Sequence, residues 1–207
     1  MKRLLFLFIL CSLFSCEKLT KSASDLITKN DESKTFGRYH TIKQENIKVY
    51  LPEEFEFITL KDYKNLVNKS NDTLFKKREV QRLDVLEKSN QNIYFFEHIE
   101  SGSILNILPT KYVLFNKQDA TYMLSIVNSI TKQNSPEGTN LENIAAEFKK
   151  SNNKQIFKAI YKFRIPGYEI DYYKYVYFIS HNRKSALINL ETPILTNFDE
   201  YIFKMKL

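Results

Sequence analysis

Two adjacent strand patterns near the C-terminus restrict the fold more than any other feature. Between residues 157 and 165, large apolar residues alternate with mostly basic ones, which is the period of a strand with one buried face. Pro166-Gly167 then predicts a turn. Residues 170–180 (IDYYKYVYFIS) are apolar or aromatic at almost every position. Such a strand is typical of the centre of a sheet that is covered on both faces. The C-terminal third therefore predicts a sheet packed between two layers.

The remaining chain predicts further strands interleaved with helices. Alternating apolar residues predict strands at 47–51, 93–99, 104–108 and 186–190. Helical periodicity predicts helices that begin near Thr59, Asp72, Gln118, Asn140 and Thr196. In the second and third helices, the residues expected to face the core are Phe75, Leu83, Leu86, Met123, Ile126, Val127 and Ile130. We predict an α+β domain, a mostly antiparallel β-sheet flanked by helices in an α/β/α sandwich.

Two short-range patterns accompany these elements. Thr59 with Asp62, and Thr196 with Asp199, have the spacing of a capping box at a helix N-terminus. The sequence Tyr-Phe-x-x-His, followed by an asparagine eight residues later, occurs at 94–106 and again at 177–189. The repeat is compatible with an old duplication of a hairpin and equally with coincidence in an aromatic-rich chain.

The N-terminus has the organisation of a secretion signal. Lys2 and Arg3 precede an apolar run over 4–10, and the apolar stretch is too short to span a membrane as a helix. Leu13-Phe14-Ser15-Cys16 resembles the lipobox of bacterial lipoproteins, in which the cysteine is lipidated and becomes the first mature residue. The resemblance implies a signal peptide over 1–15 and an acylated Cys16. It also implies the outer membrane rather than the inner one, because Glu17 follows the cysteine.

The mature chain then divides into a tether and one domain. Residues 17–40 are polar without a sustained period, which predicts a flexible spacer, and residues 41–207 form the domain. The chain has two cysteines, Cys11 and Cys16, so the mature domain has no disulfide. Removal of Lys2 and Arg3 with the signal lowers the net charge from +7 to +5. We do not expect nucleic-acid binding from this modest excess in an exported protein.

No motif for catalysis or for a metal or cofactor emerges. The three histidines, His40, His98 and His181, do not form a metal-ligand spacing. A nucleophile elbow is absent, and the four glycines are scattered singly, unlike a phosphate-binding loop. We therefore expect neither enzymatic activity nor a metal or cofactor.

The opening segment "IKVYLPEEFEF" and the closing segment "YVYFISHNRKSALINLETPILTNFDEYIFKM" resemble the PsbP/Mog1/DcrB-like domains. Those domains begin with a strand that ends in proline and an aromatic residue, and they end with a hairpin, a small-polar break and a helix. The resemblance covers roughly 45–207. It implies an antiparallel sheet between helices, and a domain that serves in binding or assembly rather than in catalysis.

Two groups of residues are candidates for contact with a ligand or partner. Lys158, Lys162 and Arg164 lie on one predicted strand face, which either contacts lipid headgroups or an acidic partner or is simply solvated. Tyr173, Tyr175 and Tyr177 either line a ligand groove or belong to the core. We predict a lipid-anchored, non-catalytic module that binds another envelope component. A carrier of a small apolar ligand is the first alternative, and a hydrolase is the second.

Overall fold

The computed structural model describes residues 36–151, 153–167 and 169–207, apart from the side chain of Leu74. These residues form nine strands and four helices in chain order. The strands are β1 (Arg38–Ile42), β2 (Ile47–Leu51), β3 (Phe55–Ile58), β4 (Tyr94–His98), β5 (Ser103–Thr110), β6 (Asn140–Ser151), β7 (Lys154–Arg164), β8 (Tyr172–His181) and β9 (Lys184–Thr192). The helices are α1 (Leu60–Lys69), α2 (Thr73–Lys88), α3 (Lys117–Asn134) and α4 (Asp199–Lys204).

The main sheet has seven strands in the order β3-β4-β5-β9-β8-β7-β6, and every neighbouring pair is antiparallel. β1 and β2 form a separate antiparallel hairpin. The predicted α+β class with a mostly antiparallel sheet is confirmed. β8 lies between β7 and β9 and buries residues on both of its faces, as its sequence predicted.

The two faces of the sheet are covered by different layers. Alternate residues of β8 belong to different clusters: Tyr175 and Tyr177 lie in one, and Val176 lies in another. The first cluster includes residues of the β1–β2 hairpin and of α4, whereas α3 packs on the second. α1 and α2 cover β4 through a third cluster that contains Phe95. One layer of the predicted sandwich is therefore a β-hairpin together with a short helix.

The folded unit begins earlier in the sequence than expected. The residues from 37 to 207 form one compact unit, and β1 lies partly within the segment predicted as a tether. Gly37 marks this start, because a Cβ there would lie 2.3 Å from the carbonyl oxygen of Leu51. The predicted signal peptide and Cys16 lie outside the described residues. Among the residues that are described, no helix is long and apolar enough to cross a membrane.

One predicted helix is wrong. The segment that begins at Asn140 is strand β6, which forms a hairpin with β7 over its whole length. Asn153 in the turn has a φ of 61°, which asparagine tolerates better than most residues. A helix was predicted there because Leu141, Ala145 and Phe148 have helical spacing. A bulge between Asn143 and Ala145 shifts the register there, so Leu141 and Phe148, seven residues apart, lie on the same face of the strand.

The inward face of α3 also differs from the prediction. Met123 and Val127 pack on the sheet as expected, but Ile126 and Ile130 are 40% and 52% exposed. Ala120 and Thr131 are buried in their place. In α2, Leu83 is fully buried, whereas Phe75 is exposed. In both helices the packing against the sheet, rather than the apolar pattern alone, determines which residues are buried.

The capping box predicted at Thr59 is present, but the one predicted at Thr196 is not. The Tyr175 hydroxyl instead donates to the carbonyl oxygen of Thr196 at 2.8 Å and accepts from its N–H at 2.8 Å. Phe198 is the residue before α4 and makes no side-chain cap. The Asp199 side chain does not form a capping box with Thr196. It points instead at the sheet, where it contacts basic side chains.

Candidate functional site

The densest group of ionisable side chains lies in a small recess between α4 and strands β6, β7 and β8. Lys158 Nζ lies 2.6 Å from Asp199 Oδ2 and 3.2 Å from Glu147 Oε2. Lys149 Nζ lies 3.0 Å from the same Glu147 oxygen and 3.5 Å from Asp199. The Tyr177 hydroxyl donates to Asp199 Oδ1 at 3.0 Å. The recess thus contains two lysines, two carboxylates and one phenol.

The electrostatics of this recess are balanced. Burial alone would raise the pKa of the Asp199 carboxyl, but the bonds from Lys158 and Tyr177 outweigh it and lower that pKa. Burial and the Asp199 charge raise the pKa of Tyr177 well above its usual range. The phenol therefore stays protonated and serves as a hydrogen-bond donor to Asp199. Because each charge has an opposite partner, the group joins α4 to the sheet rather than presenting a reactive atom.

The predicted basic face of β7 is occupied within the protein itself. Lys158 belongs to the recess just described, and its side chain is 14% exposed. Lys162 and Arg164 both pair with Asp171, at 2.9 Å and 2.8 Å. The Arg164 and Lys162 bonds lower the pKa of the Asp171 carboxyl. These residues connect β7 to the segment before β8, so they offer little unpaired charge to a partner.

The predicted tyrosines are also placed mainly in the interior. Tyr175 is 0% exposed and Tyr177 is 1% exposed, and both hydroxyls have partners inside the protein. Tyr173 is partly buried against the same cluster. The structure therefore brings these rings together as core rather than as the lining of an open groove.

Groups suited to metal binding are absent from the part of the chain that the structure describes, since no three His, Cys, Asp or Glu side chains converge there. Two histidines are instead isolated: His40 Nε2 and His181 Nδ1 are buried without a hydrogen-bond partner among the described residues. Burial lowers the pKa of His40, with Arg38 adding to the effect. Burial also lowers that of His181, with the same sign from Lys154.

A feature that the sequence reading did not single out is the 111–114 loop, Lys111-Tyr112-Val113-Leu114, between β5 and α3. All four residues are exposed, with Tyr112 at 47%, Val113 at 44% and Leu114 at 69%. The next residue, Phe115, is by contrast 3% exposed and packs its ring edge-on against Phe148 and Phe178. Three large apolar side chains are therefore exposed to solvent next to the buried ring of Phe115.

Buried polar side chains hold this loop in place. The Val113 N–H donates to Ser185 Oγ at 2.9 Å, and Ser180 Oγ donates to the Val113 carbonyl oxygen at 2.6 Å. The Phe115 N–H donates to Gln155 Oε1 at 3.1 Å. Ser180, Ser185 and Gln155 are each at most 5% exposed and lie on strands of the main sheet. The loop backbone is thus fixed by the sheet, whereas its side chains face solvent.

The loop lies at what we call the basic end of the sheet, where β5 ends and the β6–β7 and β8–β9 turns lie. Four exposed basic residues lie at this end: Lys111 in the loop itself, Lys117 at the start of α3, and Lys150 and Arg183 near the β6–β7 and β8–β9 turns. The acidic residues of this end, Glu45 and Asp119, accept hydrogen bonds from Asn92 and from the Asn116 N–H. The exposed side chains of the 111–114 loop thus form an apolar tip, and we call the exposed basic residues of this end the cationic rim.

The opposite end of the sheet, which we call the acidic end, carries the opposite charge. Its turns and loops carry exposed carboxylates, at Glu53, Glu54, Glu100, Glu137 and Glu169. Arg38 and Arg164 at this end are ion-paired with Glu56 and Asp171. The chain also enters the folded unit here, at Arg38. The domain is therefore electrically polarised along its strands.

Comparison with known proteins finds a similarity in backbone structure only. No family model and no curated protein sequence matches the chain. The solution structure of cyanobacterial PsbP (CyanoP) from Synechocystis sp. PCC 6803 is similar over 84% of this chain and 95% of that one. The sequence identity is 10% and the TM-score is 0.48. PsbP proteins are among the domains that the sequence resembles, and a likeness at this identity does not extend to function.

Proposed function

We propose that this protein is a lipid-anchored module of the cell envelope that binds another envelope component and does not catalyse a reaction. The observation that supports binding is the 111–114 loop. Large apolar side chains on a loop of fixed backbone, surrounded by charge, have the composition of an interface centre with a polar rim. Exposed apolar patches of this kind are typical of interaction sites in soluble domains.

The described side chains favour binding over the two alternatives. A carrier needs an apolar cavity, and the tyrosines that would line one are packed in the core with their hydroxyls bonded. A hydrolase needs an activated nucleophile beside a base, whereas the recess beneath α4 pairs each lysine with carboxylates. Anchoring is proposed from the lipobox resemblance of 13–16.

Anchoring is tested by metabolic labelling with a clickable palmitate analogue, followed by membrane fractionation. We expect labelled wild-type protein in the envelope fraction and loss of the label in Cys16→Ala. A wild-type protein that carries no label and fractionates as soluble would refute the anchor.

Binding is tested by the size of the detergent-solubilised protein on gel filtration. We expect the wild-type protein to elute in an assembly larger than the monomer, and the double variant Tyr112→Ser/Leu114→Ser to elute as the monomer. Val85→Ser is the matched control, because Val85 is an apolar residue that is 60% exposed on α2 and is not part of the loop. A wild-type protein that elutes as a monomer, or a control that behaves like the double variant, would contradict the proposal.

A further inference from the structure

The two ends of the sheet differ in charge, and the chain enters the folded unit at the acidic end. Arg38 begins β1 at the acidic end, next to Glu56. The 111–114 loop lies at the basic end, beyond the length of the central strands. Strands of the length of β6 extend about 40 Å at ~3.3 Å per residue. The chain entry and the 111–114 loop therefore lie at opposite ends of the folded unit.

We infer that the basic end, with the 111–114 loop at its centre, is the docking surface for a protein partner that presents an acidic rim around an apolar patch. This inference rests on the proposed binding function and specifies the partner's chemistry.

The charge of the rim defines one half of that chemistry. Lys111, Lys117, Lys150 and Arg183 are all exposed and outnumber the carboxylates of Glu45 and Asp119 at this end. A partner of opposite charge is attracted and oriented by such a rim, and a basic partner is repelled. An acidic surface is the complement.

The apolar centre defines the other half. Tyr112, Val113 and Leu114 remain largely exposed although the backbone of the loop is fixed by Ser180, Ser185 and Gln155. A rigid loop loses little conformational entropy when a partner covers it. An anionic polysaccharide would use the charges but leave the apolar side chains unmatched. A bilayer also offers negative charge and an apolar interior, and the cross-linking experiment separates it from a protein. A protein surface with an acidic rim and an apolar patch matches the charge and the apolar tip together.

The test is photo-cross-linking of the full-length protein in intact envelopes. The photoreactive residue p-benzoylphenylalanine replaces Leu114 in one variant and Ile99 in the other. Ile99 is the matched control, because it is 73% exposed in the turn between β4 and β5 at the acidic end. Neither replacement removes a buried side chain, so both variants are expected to fold.

The expected result is a protein adduct from position 114 and none from position 99. In the background Lys111→Glu/Lys117→Glu, the yield of that adduct should fall about tenfold, the change expected when attractive charges at an interface become repulsive. Lys61→Glu/Lys77→Glu reverses two exposed lysines on α1 and α2 and should leave the yield unchanged.

The other outcomes overturn the inference in distinguishable ways. A protein adduct from position 99 alone would refute this surface and leave the binding function in place. An adduct of position 114 with phospholipid would replace the protein partner by the bilayer. If the yield of the protein adduct at position 114 does not fall in the Lys111→Glu/Lys117→Glu background, the acidic rim of the partner is refuted. If neither position yields an adduct, both the inference and the proposed binding function fail.

Discussion

Asp199 shows how a single side chain acquires a role that its sequence position does not indicate. Its spacing from Thr196 predicted a helix cap, but Thr196 is engaged by Tyr175 and Asp199 turns toward Lys158 and Tyr177. The Lys158 and Asp199 side chains are 14% and 20% exposed, so their ion pair is largely removed from water. Breaking a pair of this kind leaves a charge without compensation, which costs more than the loss of a surface pair.

We expect Asp199→Asn to lower the free energy of unfolding by about 2–4 kcal/mol, because Lys158 and Lys149 lose the more buried of their two shared carboxylates. The measurement is denaturant-induced unfolding of the full chain. Glu147→Gln is the matched control. Glu147 contacts the same lysines but is 41% exposed, so its loss should cost about 1 kcal/mol or less. Equal losses in the two variants would mean that burial does not set the strength of this network.

At the scale of elements, the hairpin of β6 and β7 depends on a turn that helical periodicity concealed. The sequence Asn152-Asn153 is a hairpin signal, because asparagine accepts the positive φ angles that tight turns require. Asn153 adopts a φ of 61°. The adjacent strands pair from Asn140 with Arg164 to Ser151 with Lys154. The turn therefore fixes the register of β6, one of the two edge strands of the main sheet.

Asn153→Val is expected to lower the free energy of unfolding by about 1–3 kcal/mol, because a β-branched residue is strained at positive φ. Asn153→Gly should leave the stability unchanged or raise it slightly, since glycine adopts this conformation without strain. Thermal and denaturant unfolding of both variants gives the comparison. If valine and glycine have the same effect at this position, the strained turn is not what specifies the hairpin.

At the scale of the whole molecule, charge is distributed along the strands rather than around the surface at random. Both ends of the sheet are assembled from turns that are far apart in sequence, so the net charge of the chain does not reveal the polarity. The same whole-molecule view applies to titration. Buried histidines and paired carboxylates from different elements together set the dependence of stability on pH.

Stability should fall in two stages as the pH is lowered. The pKa values of His40 and His181 are lowered in the fold, so the unfolded chain binds their protons first and stability declines below about pH 6.5. The pKa values of Asp199 and Glu147 are also lowered, so their contribution is present above about pH 4.5 and is lost below it.

Denaturant midpoints between pH 8 and pH 3 measure both stages. His181→Gln should reduce the first decline and leave the second in place, whereas Asp199→Asn should reduce only the second. A single decline confined to pH values below 4.5 would show that the buried histidines do not contribute.

Local pattern by itself predicted six of the nine described strands, the four described helices and the antiparallel α+β class, because burial gives each of these elements a period in the sequence. The β4–β5 and β8–β9 hairpins follow from their turns. Asn106 and Asn189, the corresponding residues of the repeated motif, pair in register on β5 and β9 with a side-chain hydrogen bond of 3.1 Å. That contact became visible only when the two hairpins were joined in one sheet.

Tertiary structure decided what each candidate residue does. The basic residues of β7 are paired with carboxylates from distant segments, and the tyrosines of β8 are enclosed by α4 and the β1–β2 hairpin. The 111–114 loop belongs to neither a strand nor a helix, and its apolar run was the only local signal. Its exposure depends on Ser180, Ser185 and Gln155, which reach it from other strands. Burial and ion pairing are properties of neighbours in space, and a sequence read locally does not specify those neighbours.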